Sequence, residues 1–519
     1  MSAREWRLPE AAVDGQTYFA HALSLAALHG PGPWPDGGAP LPDARPRDPH
    51  RFTMSDTVLD GVRTQHAGVG ADAGAAELTE ILRAALDGSP SADLLRRLHD
   101  VSARVDPLAV ADGLTQDLAG RPPDRVRELG RWLAENGVRR GPVALGIVLI
   151  GLAGEKRDAD LLLRLGALET LTLYAVVALL RTQPHPDRAV YVLARRVGGW
   201  GRIHAVQRLR STRRPEIKAW LLREGYRNSI MDEYLAYTAA TTGDLAGALA
   251  ADEIDDELLR GAGGILYALC LGGPAEGMDD YPDGAVAVER YLRHVAARPP
   301  DLVRTAITAT LRDHAASAGD AWSPADAARL HDLAAELCAR PDWRAVVVAA
   351  LSGEDPAVFQ VALWPARLLG IPFVTQVMAQ LRRGPYDSRL WYQLVTGAGD
   401  IDEVLRLAEE LLPLADLATG PALDLLFGSA EPEDALDMIV SRLDGHPGKG
   451  WPLIRAALAN RSIRNRNMAL NALEAWPVDL ITPEMARALA TAAGCEPDRE
   501  VRRRMNTLRR GWPSGLARR

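Results

Sequence analysis

Lysine is nearly missing from this 519-residue chain: Lys156, Lys218 and Lys449 are the three, so arginine supplies the other 57 of its 60 basic residues. GC-rich coding produces such a skew unaided, so an arginine cluster here carries less weight than it would elsewhere. Aromatic residues are also scarce, at 5% against 47% hydrophobic residues overall. Aliphatic and alanine side chains must therefore fill the interior, a profile that suits packed helices better than strands. The three cysteines, Cys270, Cys338 and Cys495, lie far apart without a CxxC. They cannot all pair within the chain, which reads as a reducing cytoplasm. The longest apolar run, 143–154, has twelve residues, short of the ~20 that a spanning helix needs, and is expected to be a buried helix. The first apolar stretch, Tyr18 to Leu28, follows Asp14 and ends in His29 and Gly30. With no small-residue cleavage site it predicts no signal peptide. Walker A, Rossmann and GxSxG patterns are absent, so no cofactor is expected.

The charge balance adds a further exclusion. Sixty basic against 68 acidic residues give −8, which provides no global attraction for nucleic acid or anionic lipid, though a local basic face is compatible with it. No membrane partner is expected.

The length exceeds what one compact core usually holds, which suggests several domains or one elongated repeat array. Residues 30–50 carry seven prolines and four glycines, too many fixed φ angles and missing donors for a regular element. Trp34 is the residue able to pin this loop to a groove. The expected organisation is an irregular segment with one or two helices over 1–73, then helical arrays over 74–275 and 276–519. From residue 75, where Leu78, Ile81, Leu82 and Leu86 mark a helical stripe, helical stretches alternate with Gly, Pro or Asp punctuation. No run alternates as a strand does, so the expected fold is all-α.

An internal repeat organises part of the chain. Asp158, Asp187 and Glu216 are 29 residues apart, the last two preceded by Pro186 and Pro215, a start suited to a helix's first turn. The triplets Leu161-Leu162-Leu163, Val190-Tyr191-Val192 and Ala219-Trp220-Leu221 follow in register. A second helix matches at the same spacing, pairing Leu171 with Trp200, Tyr174 with Ile203, Val177 with Val206, and Leu180 with Leu209. Each unit is therefore a helix pair, which cannot bury both apolar stripes unless neighbours stack on it. With Asp355-Pro356 and Pro497-Asp498 turns and the Val501-Arg502 helix, the pattern resembles HEAT-like repeats, most clearly over 157–225. The resemblance implies an α-solenoid of stacked antiparallel helix pairs.

The sharpest charge feature is 195–227, where ten basic residues (Arg195, Arg196, Arg202, Arg208, Arg210, Arg213, Arg214, Lys218, Arg223, Arg227) face Glu216 and Glu224. Arginine forks suit carboxylate and phosphate. The block precedes 231–283, where twelve acids meet a single base, Arg260, so mutual neutralisation is the simpler reading. Arg195, Arg196, Arg202, His204, Arg208, Arg210, Arg213 and Arg214 form the candidate binding patch, with Arg202, Arg208 and Arg214 as clamps. The expected function is a non-catalytic scaffold for an acidic protein or peptide partner. Nucleic-acid binding, including the glycosylase chemistry of some HEAT-like proteins, is the alternative, with Trp200 and Trp220 as candidates. Both tryptophans occupy repeat slots that core residues fill elsewhere, which weighs against that role.

His99-Asp100 and His331-Asp332 are the dipeptides of a third reading, a helical metal-dependent hydrolase, but no HxxxH or HExxH supplies further ligands. His204 matches Ala175 in the repeat and reads as a packing histidine. Asp279, Asp280, Asp283 and Gly284 lack the alternating ligands of a calcium loop, so no metal is expected. The last 59 residues carry twelve arginines against six acids, consistent with the polar outer face of a terminal repeat.

Overall fold

The computed structural model describes residues 6–9, 13–44, 55–67, 74–319, 321–397, 399–423 and 431–513. The expectation of an all-α protein holds: the described residues are helical and contain no strand. The chain forms two compact units that meet at Arg344/Ala345. The acid-rich stretch at 231–283, where composition had suggested a boundary near 275, lies inside the first. No helix among the described residues is long and apolar enough to cross a membrane.

The first unit opens with α1 (Tyr18–His29), capped by the Thr17 hydroxyl, which accepts from Ala20 N at 3.0 Å. A tight turn then buries Trp34, whose Nε1 donates to Gly30 O at 2.9 Å, as expected of the residue able to pin this loop. After α2 (Asp56–Val62) and a π-helical turn over 63–67 come α3 (Ala75–Asp87), α4 (Ala92–Ser102), α5 (Pro107–Asp117) and α6 (Pro123–Asn136). The stripe read from the sequence, Leu78, Ile81, Leu82 and Leu86, is the buried face of α3 and shares one core with Leu95, Leu98, Leu129 and Leu133. The apolar run at 143–154 lies in α7 (Arg140–Ala153), a buried helix. It packs backbone to backbone on α6: a Cβ at Gly146 would lie 2.6 Å from Gly130 O.

The stretch with the 29-residue spacing follows as α8 (Ala159–Gly166), α9 (Glu169–Thr182), α10 (Pro186–Ala194), α11 (Gly199–Gln207), α12 (Pro215–Trp220) with a π-helical turn over 221–225, and α13 (Glu233–Gly243). Pro186 and Pro215 are first residues of helices, where a missing N–H costs nothing. α7, α9, α11 and α13 pack in succession, with α8 and α10 against α9. The unit continues through α14 (Leu245–Ala248), α15 (Asp256–Leu271), α16 (Gly284–Ala296), α17 (Leu302–Ser317) and α18 (Pro324–Ala339).

The second unit contains α20 (Pro356–Leu368), α21 (Val374–Arg383), α22 (Ser388–Gly397), α23 (Ile401–Leu411), α24 (Leu414–Leu417), α25 (Pro432–Val440), α26 (Trp451–Leu458), α27 (Ile463–Ala475), α28 (Pro483–Cys495) and α29 (Arg499–Gly511), after α19 (Pro341–Ser352) at the junction. Asp355 and Asp498 are N-caps of α20 and α29, as the Asp-Pro and Pro-Asp turns imply. Arg466 is fully buried and pairs with Glu496 at 2.6 and 2.8 Å. Its remaining N–H groups donate to the carbonyls of Asn460, Arg461 and Ala422, the full satisfaction that burying a charge requires.

Candidate functional site

The seven arginines of the expected patch flank or lie on α11, and His204 is buried within it. α11 has nine residues, which at 1.5 Å per residue separates its ends by about 13 Å, and the arginines divide between those ends.

At the N-terminal end, Arg202 turns back from α11 to donate to Val197 O at 3.0 Å and to Arg227 O at 3.1 Å. Its guanidinium lies over the Trp220 ring, 5.8 Å from the centroid. Trp220 meets Tyr191 edge-on at 5.2 Å, and Arg195 lies over Tyr191 at 5.7 Å. Arginines and aromatic rings thus alternate here, an arrangement that orients each guanidinium. Arg196 faces the like charge of Arg164, and burial together with that charge lowers its pKa from the usual value.

At the C-terminal end stand Arg208, Arg210, Arg213 and Arg214. Arg214 pairs with Asp187 at 2.9 Å, where Thr212 Oγ1 also donates at 3.1 Å. Arg210 donates to Thr238 Oγ1 at 3.2 Å. Arg208 is exposed as a residue, yet the protein around its guanidinium, with the Arg210 charge, lowers its pKa. Neither Arg208 nor Arg213 has a side-chain hydrogen bond or ion pair with a described residue. His204 joins neither group. It is buried beside Trp200, its Nδ1 has no hydrogen-bond partner among the described residues, and burial followed by the Arg208 charge brings its pKa down to about 4.

The basic and acidic blocks neutralise each other locally, through the charges of Arg227 and Asp232 and through one ion pair. Among the described residues, Arg223 and Asp255 at 2.6 Å are the ion pair that joins 195–227 to 231–283. Asp256 pairs instead with Arg298, and Asp279 lies 3.6 Å from His314. Trp200 and Trp220 are both buried, as their repeat slots imply.

The other candidates are scattered. His99 is buried and its Nε2 accepts from Val138 N at 3.2 Å, a packing role. His331 is exposed on α18, 3.2 Å from Asp332. No group of three or more His, Cys, Asp or Glu able to hold a metal occurs among the described residues. In α29, Arg503 pairs with Glu500, and Arg504 with Glu474 and the amides of Asn467 and Asn471. Residues 514–519 lie outside the described residues.

A polar cluster that no sequence motif marks lies at the start of α7. Arg140 is buried and pairs with the buried Asp60 of α2. Its Nε donates to Thr170 Oγ1 at 2.6 Å, and its backbone N donates to Asp43, which also accepts from Tyr18 OH at 2.5 Å. Tyr174 OH lies 3.4 Å from the same guanidinium, and burial raises its pKa well above the usual value. The partners are 80 residues apart in sequence, too far for any local pattern to pair them.

No protein-family model and no curated protein matches this chain. Among solved structures, the crystal structure of an engineered protein is similar at 15% identity over 84% of this chain and 98% of that chain, with a TM-score of 0.24, at which the likeness carries no argument.

Proposed function

We propose that the protein is a non-catalytic scaffold, a HEAT-like α-solenoid that binds an acidic protein or peptide partner through the arginines at the ends of α11. The observation that carries this reading is the C-terminal end, where Arg208 lies beside Arg210 and neither pairs with a carboxylate among the described residues; Arg202, stacked on Trp220, feels the opposing charge of Glu224. Guanidiniums crowded by like charge gain most from an external anion. The solenoid reading draws support from the spacing of contacts between elements. Arg140 to Thr170, Arg210 to Thr238, Arg461 to Glu433 and Arg504 to Glu474 span 28–30 residues, about one helix pair each. The three cysteines are free, which supports a cytoplasmic setting.

Fluorescence polarisation with a labelled oligoglutamate peptide, and in parallel a single-stranded oligonucleotide of similar charge, tests the reading. The peptide is expected to bind, and Arg208→Glu/Arg210→Glu/Arg213→Glu to weaken it at least tenfold with little change in Tm. Arg214 is left in place because it holds Asp187. The matching variant at the other end, Arg195→Glu/Arg202→Glu, reports which end binds. Unchanged affinity in both variants removes the role. Preferential capture of the oligonucleotide, lost steeply with salt, replaces it with nucleic-acid binding.

A further inference from the structure

Residues 55–67 differ from the helices they cover in what they bury. α3 buries five apolar side chains, whereas the buried residues of 55–67 are Asp60 and Gly61, with Val58, Leu59 and Val62 only half-buried. Elements that belong to a packed core are held by an apolar stripe. This segment is held at points, as a ligand is. Asp60 meets Arg140 of α7, and Arg63 meets Asp106. Gln65 and Gln207 exchange amide hydrogen bonds at 3.0 and 3.1 Å, and His66 Nε2 lies 3.0 Å from Tyr234 OH. Gly61 lies against the Trp200 indole so closely that a Cβ would come within 2.3 Å of it. Trp200 is itself buried between Tyr234, at 5.2 Å, and His204, at 6.4 Å, so its ring has no room to swing aside.

We infer that the face formed by Arg140, Thr170, Tyr174, Trp200, Gln207 and Tyr234 is a peptide-recognition groove. Residues 55–67 fill it in cis, and in trans it takes a short acidic helical peptide bearing a carboxylate followed by glycine. The chemistry of Arg140 selects that ligand. Arg140 takes the Asp60 carboxylate in cis, so a peptide that seats in the same place carries an acid there. The glycine is required because the backbone touches Trp200. The glutamine pair fixes register about one turn further on. None of these residues belongs to the arginine patch, so this groove and the proposed partner surface stand or fall separately.

The test uses the full chain and a labelled synthetic peptide of residues 55–67, read by fluorescence polarisation. Gly61→Val unseats the segment in cis and leaves every groove residue in place; trypsin cleavage after Arg63, expected to accelerate at least tenfold, reports that it has left. The variant is expected to bind the peptide at least tenfold more tightly than the unaltered protein, and an Asp60→Asn peptide at least tenfold more weakly than the natural one. Cleavage at the unaltered rate, equal binding by the two proteins, or indifference to Asp60→Asn in the peptide would each overturn the inference. If circular dichroism shows that Gly61→Val does not fold, Asp60→Asn in the protein takes its place, and there too an affinity no tighter than that of the unaltered protein rejects the groove.

Discussion

Two stretches of the first unit tie successive helices together by different means. Over 127–255 four of the arginine ties end on carboxylates: Asp158 takes Arg127 and Arg131, Asp187 takes Arg214, and Asp255 takes Arg223, across 27–32 residues, while Arg140 and Arg210 reach threonine hydroxyls and Arg202 a carbonyl. Over 246–340 the acceptors are mostly backbone carbonyls. Arg290 donates to Ala246 O, His294 to Leu249 O, Arg298 to Ile254 O and Arg340 to Ala296 O, each across 44 or 45 residues. Distant carboxylates also serve here, Asp256 for Arg298 and Glu289 for Arg329. A carboxylate acceptor has to be encoded by an acidic residue at a set place, whereas a carbonyl is supplied by any residue. The first arrangement leaves a period in the sequence and the second leaves none.

The largest effect is expected where a carboxylate is buried. Burial alone would raise the Asp158 carboxyl, but hydrogen bonds from Arg127, Glu155 N and Arg131 outweigh it and hold it below its usual value. Arg127→Met leaves Asp158, with no exposed side-chain surface, with Arg131 as its remaining charged partner beside Glu155 N. The expected loss is about 3 kcal/mol by urea denaturation; a loss under about 1 kcal/mol would mean that this tie contributes little.

Acidification separates the two arrangements next. The His204 pKa of about 4 lies below the 6.5 of an unfolded histidine. Its neutral ring therefore contributes stability in full above pH 6.5, and the contribution is lost as pH falls from 6.5 toward 4, a change of order 3 kcal/mol. Burial lowers His99 and His314 in the same direction. Tm is expected to fall over this window, and His204→Met to flatten the fall. Asp158 stays ionised throughout it, and carbonyl acceptors do not titrate, so hydrogen exchange at pH 4.5 should show the loss of protection centred on α11.

A smaller change, about 1–2 kcal/mol, is expected from Arg290→Met, which removes a single charged hydrogen bond to Ala246 O at 2.6 Å. The smallest belongs to Glu216→Ala. Although in sequence register with Asp158 and Asp187, Glu216 is exposed and lies 3.9 Å from Arg214. A change within about 0.5 kcal/mol is expected, and a larger one would show that register alone predicts the tie.

The comparison also marks what could be read from the amino-acid order. Helical spacing located the core stripe of α3, the buried run of α7 and the tryptophan slots, because each depends on side chains close in sequence. The candidate arginines were visible as a cluster for the same reason. That they separate to opposite ends of α11 was not, since a charge count over 195–227 ignores the direction in which Arg202 and Arg208 point. Asp60 and Arg140 left no trace at all. Their pairing depends on a segment returning across 80 residues, and neither residue is unusual among its neighbours.

The segment 55–67 also has a mechanical consequence. It touches α7 through Asp60, α11 through Gly61 and Gln65, and α13 through His66. Any bending that changes the spacing among those three helices must stretch or crumple the strip fastened across them. With the strip seated, the spacing of those three helices is held from outside as well as by their own packing; with it lifted, packing alone sets it.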